Sequence, residues 1–159
     1  MKRILMFFYL AILVAGCTAQ PSVTSSDTNE ARTTLVNFLT SLNTKKYDEA
    51  VPLYGGEYEQ LQVFNPEIDP SDHLALWTWV CENQLLQCLE VRSAILKNQE
   101  GDTYVFQVEF NNPDGSLFVL GPCCGANETE MPPVSQFEYT VIKNADGKFV
   151  VMNLPPYVP

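Results

Sequence analysis

Basic residues are scarce in this sequence, which carries 9 lysines and arginines against 19 aspartates and glutamates in 159 residues. The formal net charge is −10, and it becomes −12 when Lys2 and Arg3, which we expect to be removed, are left out and 7 basic residues remain. A strong negative charge argues against phosphate backbones and anionic lipid head groups as partners, so we predict no nucleic-acid binding. A solvated acidic surface is the ordinary interpretation, and cationic partners are compatible with it.

Signatures of catalysis and of metal binding are also lacking. The chain has one histidine, His73, and no serine-nucleophile elbow, phosphate-binding loop or dinucleotide-binding glycine pattern. No pair of residues has the spacing of a zinc half-site. We therefore predict no catalytic residue, no metal and no cofactor, and a non-enzyme is the favoured class. His73 is a candidate general base in a cavity, but its place near a predicted helix start favours a surface or partly packed residue.

The one long apolar run lies at the start of the chain. Lys2 and Arg3 precede an almost unbroken apolar stretch over residues 4–15, which is the pattern of a signal peptide. The run is shorter than the roughly 20 residues that a helix needs to span a bilayer, and no later segment qualifies. We expect residues 1–16 to be a signal peptide.

The apolar run ends in a cysteine motif. Residues 13–17 read Leu-Val-Ala-Gly-Cys, which resembles the lipobox of bacterial lipoproteins. The resemblance implies cleavage before Cys17 and attachment of diacylglycerol to its thiol, with palmitate-type acyl chains. Two or more acyl chains give stable anchoring to a membrane. The small polar residues of 17–26 predict a flexible tether, which would hold a domain over 27–159 on the extracytoplasmic side, in the cell envelope.

Helical signals fill the first half of the predicted domain. Asp27 with Glu30 has the pattern of a capping box, and apolar residues then recur at helical spacing. Gly55 and Gly56 stop a second stripe. Asp69 followed by Pro70 predicts the start of a further helix, with Asp69 as its cap. The stretches with helical signals are 27–42, 47–54, 58–64 and 69–81.

The pattern changes to strands from residue 89. Tyr104, Phe106, Val108 and Phe110 alternate with more polar residues, as expected of a half-buried strand. Turn sequences separate the strands, and residues 122–133 form a proline-containing loop. Helices followed by an antiparallel meander predict an α+β domain with the helices packed on one face of the sheet. The candidate strands are 89–96, 104–110, 117–120, 134–142 and 149–154.

This order of elements resembles the nuclear-transport-factor-2-like superfamily, a group of cystatin-like α+β folds that includes ketosteroid isomerase relatives. The resemblance covers residues 27–159 and rests on the element order, the opening pair of helices and the final strand over 147–151 that leads into two prolines. It implies a curved antiparallel sheet that wraps a helix and leaves a cone-shaped cavity. Four aromatic residues are candidates to line an apolar pocket, although core packing is the alternative: Tyr54, Tyr58, Trp77 and Trp79.

Four cysteines remain when Cys17 is lipidated. They are Cys81, Cys88, Cys123 and Cys124. An exported protein meets an oxidising compartment, so we expect disulfides, for which three connectivities exist. We favour Cys81–Cys88, since the helix can end between them and two hairpins carry Cys123 to the other end of the sheet. Crossed pairing stays open, and the adjacent pair could also form a vicinal disulfide, a redox site or a soft-metal site.

Three functional hypotheses follow from these observations. The first is a membrane-anchored extracytoplasmic lipoprotein that is not catalytic and binds a small ligand or a protein partner through its cavity or sheet face. The second is an isomerase-like or dehydratase-like enzyme that uses the cone cavity. The third is a structural assembly subunit that forms a homodimer through the exposed sheet.

Overall fold

The computed structural model describes residues 25–158, which form helices followed by one antiparallel sheet in the strand order β1-β2-β3-β4. The α+β class predicted from the sequence is confirmed. No helix within residues 25–158 is both long and apolar enough to cross a membrane. The elements are α1 (Ser25–Asn43), α2 (Tyr47–Ala50), a single 3-10 turn (Val51–Leu53), α3 (Glu59–Phe64), α4 (His73–Glu82), β1 (Glu90–Glu100), β2 (Thr103–Asn111), β3 (Phe137–Lys143) and β4 (Phe149–Val151).

The core lies between the sheet and the helices. The alternation predicted for β2 is confirmed, since Tyr104, Phe106, Val108 and Phe110 are buried while the residues between them are half-buried. The helices supply the opposite wall of this core, because apolar side chains at helical spacing pack best against a continuous apolar sheet face. Fully buried helical residues include Ala31, Leu35, Phe38, Leu61, Leu76, Trp77 and Val80.

Helix α1 runs antiparallel to β1. Its first turn lies near the end of β1, where the Thr28 hydroxyl bonds the side-chain oxygen of Gln99 at 3.4 Å. Its last residue, Asn43, donates to the carbonyl oxygen of Cys88 at 3.1 Å. The helix begins earlier than predicted and includes Ser25 and Ser26, which the sequence assigned to the tether.

The predicted capping box at Asp27 is wrong. Asp27 lies within the first turn of α1 rather than at its N-cap, because the helix starts before it. Its carboxylate instead lies 3.4 Å from the ammonium group of Lys143, at the end of β3. This ion pair links the start of α1 to the sheet.

The cap of α4 also differs from the prediction. Asp72, not Asp69, is the N-cap residue, and its carboxylate accepts a hydrogen bond from the backbone N–H of Ala75 at 2.9 Å. Asp69 accepts from the backbone N–H of Ser71 at 2.8 Å and so stabilises the turn before the helix.

The strand predicted over 117–120 is wrong. Only isolated bridges join Asn111 to Leu117 and Leu120 to Val134. The long connection between β2 and β3 is therefore a loop whose base is held by a few backbone hydrogen bonds. Phe118 fixes this base, since its ring stacks on that of Phe137 with 5.8 Å between the ring centroids.

The final segment of the chain leaves β4 earlier than predicted, after Val151, and returns toward the start of β1. The backbone N–H of Gln87 donates to the carbonyl oxygen of Pro156 at 2.8 Å, and that of Val158 donates to Leu85 at 3.2 Å. Pro155 and Pro156 are buried. The C-terminal segment thus joins the sheet edge at β4 to the junction between α4 and β1.

Candidate functional site: a cleft beside the Gly56–Glu59 segment

A cleft of about 550 Å³ opens where the chain leaves the 3-10 turn and passes the end of β4. The backbone N–H of Gly55 donates to the carbonyl oxygen of Val151 at 2.9 Å. Tyr54 forms an isolated parallel β-bridge with the same residue, Val151. This contact brings the segment before α3 against the chain that follows β4. The cleft is lined by Tyr54, Gly56, Glu57, Glu59, Gln60, Met152, Asn153 and Leu154.

Glycine is required at position 56 by close contact. A Cβ atom added there would lie 2.7 Å from the backbone carbonyl oxygen of Met152 and 2.6 Å from the phenol ring of Tyr54. Both distances are shorter than van der Waals contact, and one neighbour is backbone that cannot rotate away. The two adjacent glycines, predicted only as a helix stop, therefore let the two walls of the cleft meet.

An aromatic cluster supports the cleft from inside. The Tyr54 ring packs edge-on against Tyr58 and Trp77, with ring centroids 5.2 and 5.1 Å apart, and stacks on Phe38 at 5.8 Å. Such edge-on and stacked ring pairs stabilise a fold by more than the burial of their apolar surface alone would provide. The indole N–H of Trp77 donates to the Tyr58 hydroxyl at 3.4 Å. The cluster fixes the Tyr54 ring as a rigid wall.

A second cleft of about 400 Å³ lies on the other side of the same segment. The imidazole of His73, the first residue of α4, stacks on the Tyr58 ring with 3.6 Å between centroids and 5° between planes. His73 is half-buried, as expected for a partly packed residue. The two clefts share Gly56, Glu57 and Glu59, so this segment forms a ridge between them.

The tyrosine hydroxyls of the site are neutral at physiological pH. Burial, followed by the nearby Tyr58 and the carboxylates of Glu57 and Glu59, raises the pKa of Tyr54 far above its ordinary value. Burial likewise raises the pKa of Tyr58, and the hydrogen bond from Trp77 partly offsets the shift. The Tyr54 hydroxyl donates to the carbonyl oxygen of Glu57 at 3.2 Å. These groups act as hydrogen-bonding walls rather than as bases.

The carboxylates of the ridge are the charged groups of the site. Glu57 and Glu59 are exposed at the rim of both clefts. Asn153, at the opposite wall, is held because its side-chain oxygen accepts from the backbone N–H of Thr140 at 2.6 Å. The arrangement offers hydrogen-bond acceptors and negative charge next to an aromatic wall. It can bind a ligand that carries hydrogen-bond donors or positive charge.

The four aromatic residues proposed to line a pocket do not share one. Tyr54 lines the first cleft and Tyr58 the second. Trp77 is fully buried in the core, while Trp79 lines a third cleft of about 400 Å³ together with Leu74 and Thr78. Residues two positions apart on a helix point to nearly opposite sides, which separates the two tryptophans.

A buried hydroxyl lies in the interior, away from the clefts. Tyr139 on β3 faces the core, and its hydroxyl has no hydrogen-bond partner within residues 25–158. Burial alone raises the pKa of this hydroxyl far above the ordinary value. Its ring packs edge-on against that of Phe110, with 6.1 Å between the ring centroids.

The disulfide predicted between Cys81 and Cys88 is confirmed. Helix α4 ends at Glu82, the chain reverses through Gln84, which has a positive φ of 58°, and the two Cα atoms come within 5.6 Å. That separation is ordinary for a disulfide. The bond ties the end of α4 to the start of β1, and it rules out the crossed pairing in this structure.

Cys123 and Cys124 lie in the loop between β2 and β3 and are not bonded to another residue of the described chain. Their Sγ atoms are 2.7 Å apart. Cys17 and its motif lie outside the described residues. Across 25–158, no group of three or more histidine, cysteine, aspartate and glutamate side chains is close enough to hold a metal ion.

The sequence did not reveal the ridge or its opposite wall. Glu57 and Glu59 carried no motif, and residues 152–154 read only as the end of a strand. The one available signal was the pair of glycines, since adjacent glycines also mark close approach of backbones.

No protein-family model matches the sequence, and no curated protein shows significant similarity to it.

Proposed function

We propose that this chain is a bacterial lipoprotein anchored through Cys17, with its domain in an extracytoplasmic compartment. The proposal is supported by the positive residues, apolar run and cysteine motif of residues 1–17. The Cys81–Cys88 disulfide independently supports the extracytoplasmic location, because such bonds persist in oxidising compartments and are rare in the cytosol. The residues after Cys17 would then be a short tether before α1.

We also propose that the fold is of the cone-shaped, nuclear-transport-factor-2-like kind. The element order agrees with it, and β1 carries register shifts between Val91 and Ser93 and between Leu96 and Asn98. Bulges of this kind bend a strand and increase its twist, as a sheet that curves around a helix requires. An experimental structure compared with cone-shaped folds tests this kinship, and a flat sheet would contradict it.

We infer that the domain is a non-catalytic binding module for a small cationic ligand. The observation that carries this inference is the cleft of about 550 Å³, in which exposed carboxylates adjoin a rigid aromatic wall. Its volume falls within the roughly 300–1,000 Å³ of ligand sites. Aromatic faces and carboxylates both attract cations, and the negative net charge of the chain favours the same partners.

The other hypotheses have less support in the geometry. An enzyme would place paired acid and base groups in a water-excluded site, whereas Glu57 and Glu59 are exposed and the buried Tyr139 hydroxyl has no hydrogen-bond partner among the described residues. A sheet-face dimer would need an apolar surface. The outer face of the sheet instead carries polar pairs, in which Glu109 accepts from Ser93 and Gln136, both at 3.1 Å.

The lipid anchor is tested by intact mass spectrometry of the full chain expressed in a bacterial host. We expect the wild type to lack residues 1–16 and to carry a diacylglycerol adduct with further acyl mass on Cys17. The Cys17→Ser variant should lack that adduct and leave the membrane fraction. A Cys17→Ser protein with unchanged processing and unchanged membrane association would refute the anchor.

The cleft is tested by titrating the full chain, held in detergent, with spermidine and separately with choline. We expect saturable amide shifts at Gly56 and Asn153 in two-dimensional nuclear magnetic resonance spectra. The double variant Glu57→Gln, Glu59→Gln should weaken binding about tenfold, as the loss of two exposed charge contacts predicts. The matched control is Glu67→Gln, Glu100→Gln, which removes two exposed carboxylates elsewhere. Equal weakening in both variants, or no saturable shift, would contradict a specific site.

A further inference from the structure

The loop between β2 and β3 contains a lobe with its own hydrogen bonds. We call residues 121–133 the cysteine lobe. Its neck is closed by Leu120 and Val134, whose backbones exchange hydrogen bonds of 2.8 and 2.9 Å. Inside it, the Asn127 side chain accepts from the backbone N–H groups of Thr129 and Glu130 at 2.9 and 3.1 Å. The lobe is therefore organised locally rather than by the core.

A tight turn presents the two cysteines of this lobe. The backbone N–H of Ala126 donates to the carbonyl oxygen of Cys123 at 2.9 Å. Cys124 has a φ of 61° and Gly125 a φ of 89°, so two successive residues lie in the left-handed region. For a cysteine this conformation costs about 1–2 kcal/mol. Strained positions of this kind are concentrated at functional sites.

The turn places the two thiols against each other and toward water. The Sγ atoms lie 2.7 Å apart, closer than two unbonded sulfur atoms normally approach. Cys124 is exposed and Cys123 is half-buried. The other two cysteines of the described chain, Cys81 and Cys88, are bonded to each other. Within residues 25–158, the adjacent thiol is thus the available bonding partner of each.

We propose that Cys123 and Cys124 form a reversible redox site, which exchanges with small-molecule disulfides and closes to a vicinal disulfide. A thiolate of the pair attacks one sulfur of the small disulfide, forms a mixed disulfide and releases one small thiol. The neighbouring thiol loses its proton, attacks the mixed disulfide and releases the second small thiol. Two S–H bonds are lost and one S–S bond forms, while the small disulfide gains two electrons and two protons.

The spacing of the two residues makes the closed form easy to reduce. Adjacent Cα atoms across a trans peptide lie about 3.8 Å apart, whereas ordinary disulfides join Cα atoms about 4.4–6.8 Å apart. The Cys81–Cys88 separation of 5.6 Å falls inside that range. Strained and exposed disulfides have the higher reduction potentials and are the labile ones. Of the two pairs, the lobe pair is therefore the one that opens and closes.

The environment of the two thiols sets the order of attack. The hydrogen bond with Cys124 and partial burial raise the pKa of the Cys123 thiol, which keeps it protonated and slow to react. Cys124 is the more accessible of the two. We assign Cys124 as the first nucleophile and Cys123 as the thiol that closes the ring.

The test is a redox titration of the full chain in detergent, equilibrated with reduced and oxidised glutathione at varied ratios. Free thiols are trapped by alkylation, and the two cysteine-containing peptides are mapped by mass spectrometry. We expect the peptide with Cys123 and Cys124 to pass from doubly alkylated to internally linked within the titrated range. The Cys81–Cys88 link should persist across that range. The inference stands without the lipid anchor and without the ligand cleft.

Single variants test the order of the steps. Cys123→Ser should accumulate a mixed glutathione adduct on Cys124, because the second thiol is missing. Cys124→Ser should acquire the adduct on Cys123 more slowly. Loop cysteines that stay alkylated at every ratio, that stay linked at every ratio, or that join two chains would overturn the proposal. Equal rates of adduct formation in the two variants would overturn the assigned order.

Discussion

The junction between α4 and β1 and the cysteine lobe each carry two cysteines, but they differ in the spacing of the two residues and in contact with the core. At the junction, Cys81 and Cys88 are half-buried and pack against the core. In the lobe, residues near the cysteines are exposed or half-buried, and hydrogen bonds are local. We infer from this contrast that contact with the core and sequence spacing, rather than residue type, decide whether a cysteine pair holds a fold together or remains open to chemistry.

Replacing Trp77 with alanine should have the largest effect, because it removes the fully buried ring by which α4 packs into the core. Trp77 has no exposed surface and contacts the rings of Phe38 and Tyr54. Such truncations cost about 3–5 kcal/mol of unfolding free energy. Urea denaturation measures the loss. Trp79→Ala, two residues along the same helix but half-buried, is the control and should cost clearly less. Equal losses of unfolding free energy in the two variants would show that Trp77 contributes no more to stability than Trp79.

Opening the junction disulfide should have the next largest effect. The double variant Cys81→Ser, Cys88→Ser frees a short loop, since the two residues are 7 positions apart. Chain-entropy arguments give about 2–3 kcal/mol for a loop of this length. The thermal midpoint should fall, and wild-type protein under strong reductant should match the variant. Unchanged unfolding in both conditions would contradict a structural role for the bond.

Removing the N-terminal cap of α4 should destabilise the protein more modestly. Asp72→Ala deletes the carboxylate that accepts from Ala75, and loss of such a cap costs about 1 kcal/mol. Chemical denaturation measures this change. Asp69→Ala removes only the acceptor in the preceding turn and should have the smaller effect. A larger loss of stability in Asp69→Ala than in Asp72→Ala would instead identify Asp69 as the cap, as the sequence predicts.

The smallest effect is expected in the lobe. The double variant Cys123→Ser, Cys124→Ser changes only groups that are exposed or half-buried and outside the core, so the unfolding free energy should stay within about 0.5 kcal/mol of wild type. Its spectrum of amide resonances should change only around the lobe. A loss of unfolding free energy comparable to that of the Cys81→Ser, Cys88→Ser variant would show that both cysteine pairs stabilise the fold.

Patterns that repeat along the chain were readable from the sequence. Strand β2 was predicted within one residue at each end because alternation from Tyr104 to Phe110 reflects one buried face. The stretch 117–120 was misread because apolar residues alone do not make a strand. Val119 is 48% exposed there, and strand formation depends on a pairing partner that the sequence does not identify.

The candidate site was only partly readable, since its walls come from distant parts of the chain. Tyr54 was named, but its neighbour Asn153 is placed by hydrogen bonding to Thr140 across the sheet edge. Trp77 and Trp79 were grouped as pocket residues although helix geometry separates them. The Cys81–Cys88 bond was favoured for one valid reason, because the end of α4 at Glu82 allows the chain to fold back. The second reason was wrong: Glu90 pairs with Asn111, so the loop that carries Cys123 leaves the sheet at the same end as Cys88.

The most direct test of the contrast between the two regions is non-reducing peptide mapping of the protein recovered from its host, with free thiols alkylated at the moment of lysis. We expect Cys81 to be linked to Cys88 in essentially every molecule. We expect Cys123 and Cys124 to divide between an alkylated and an internally linked form. Four alkylated thiols, or links that join Cys81 or Cys88 to the lobe, would contradict the contrast between the two regions.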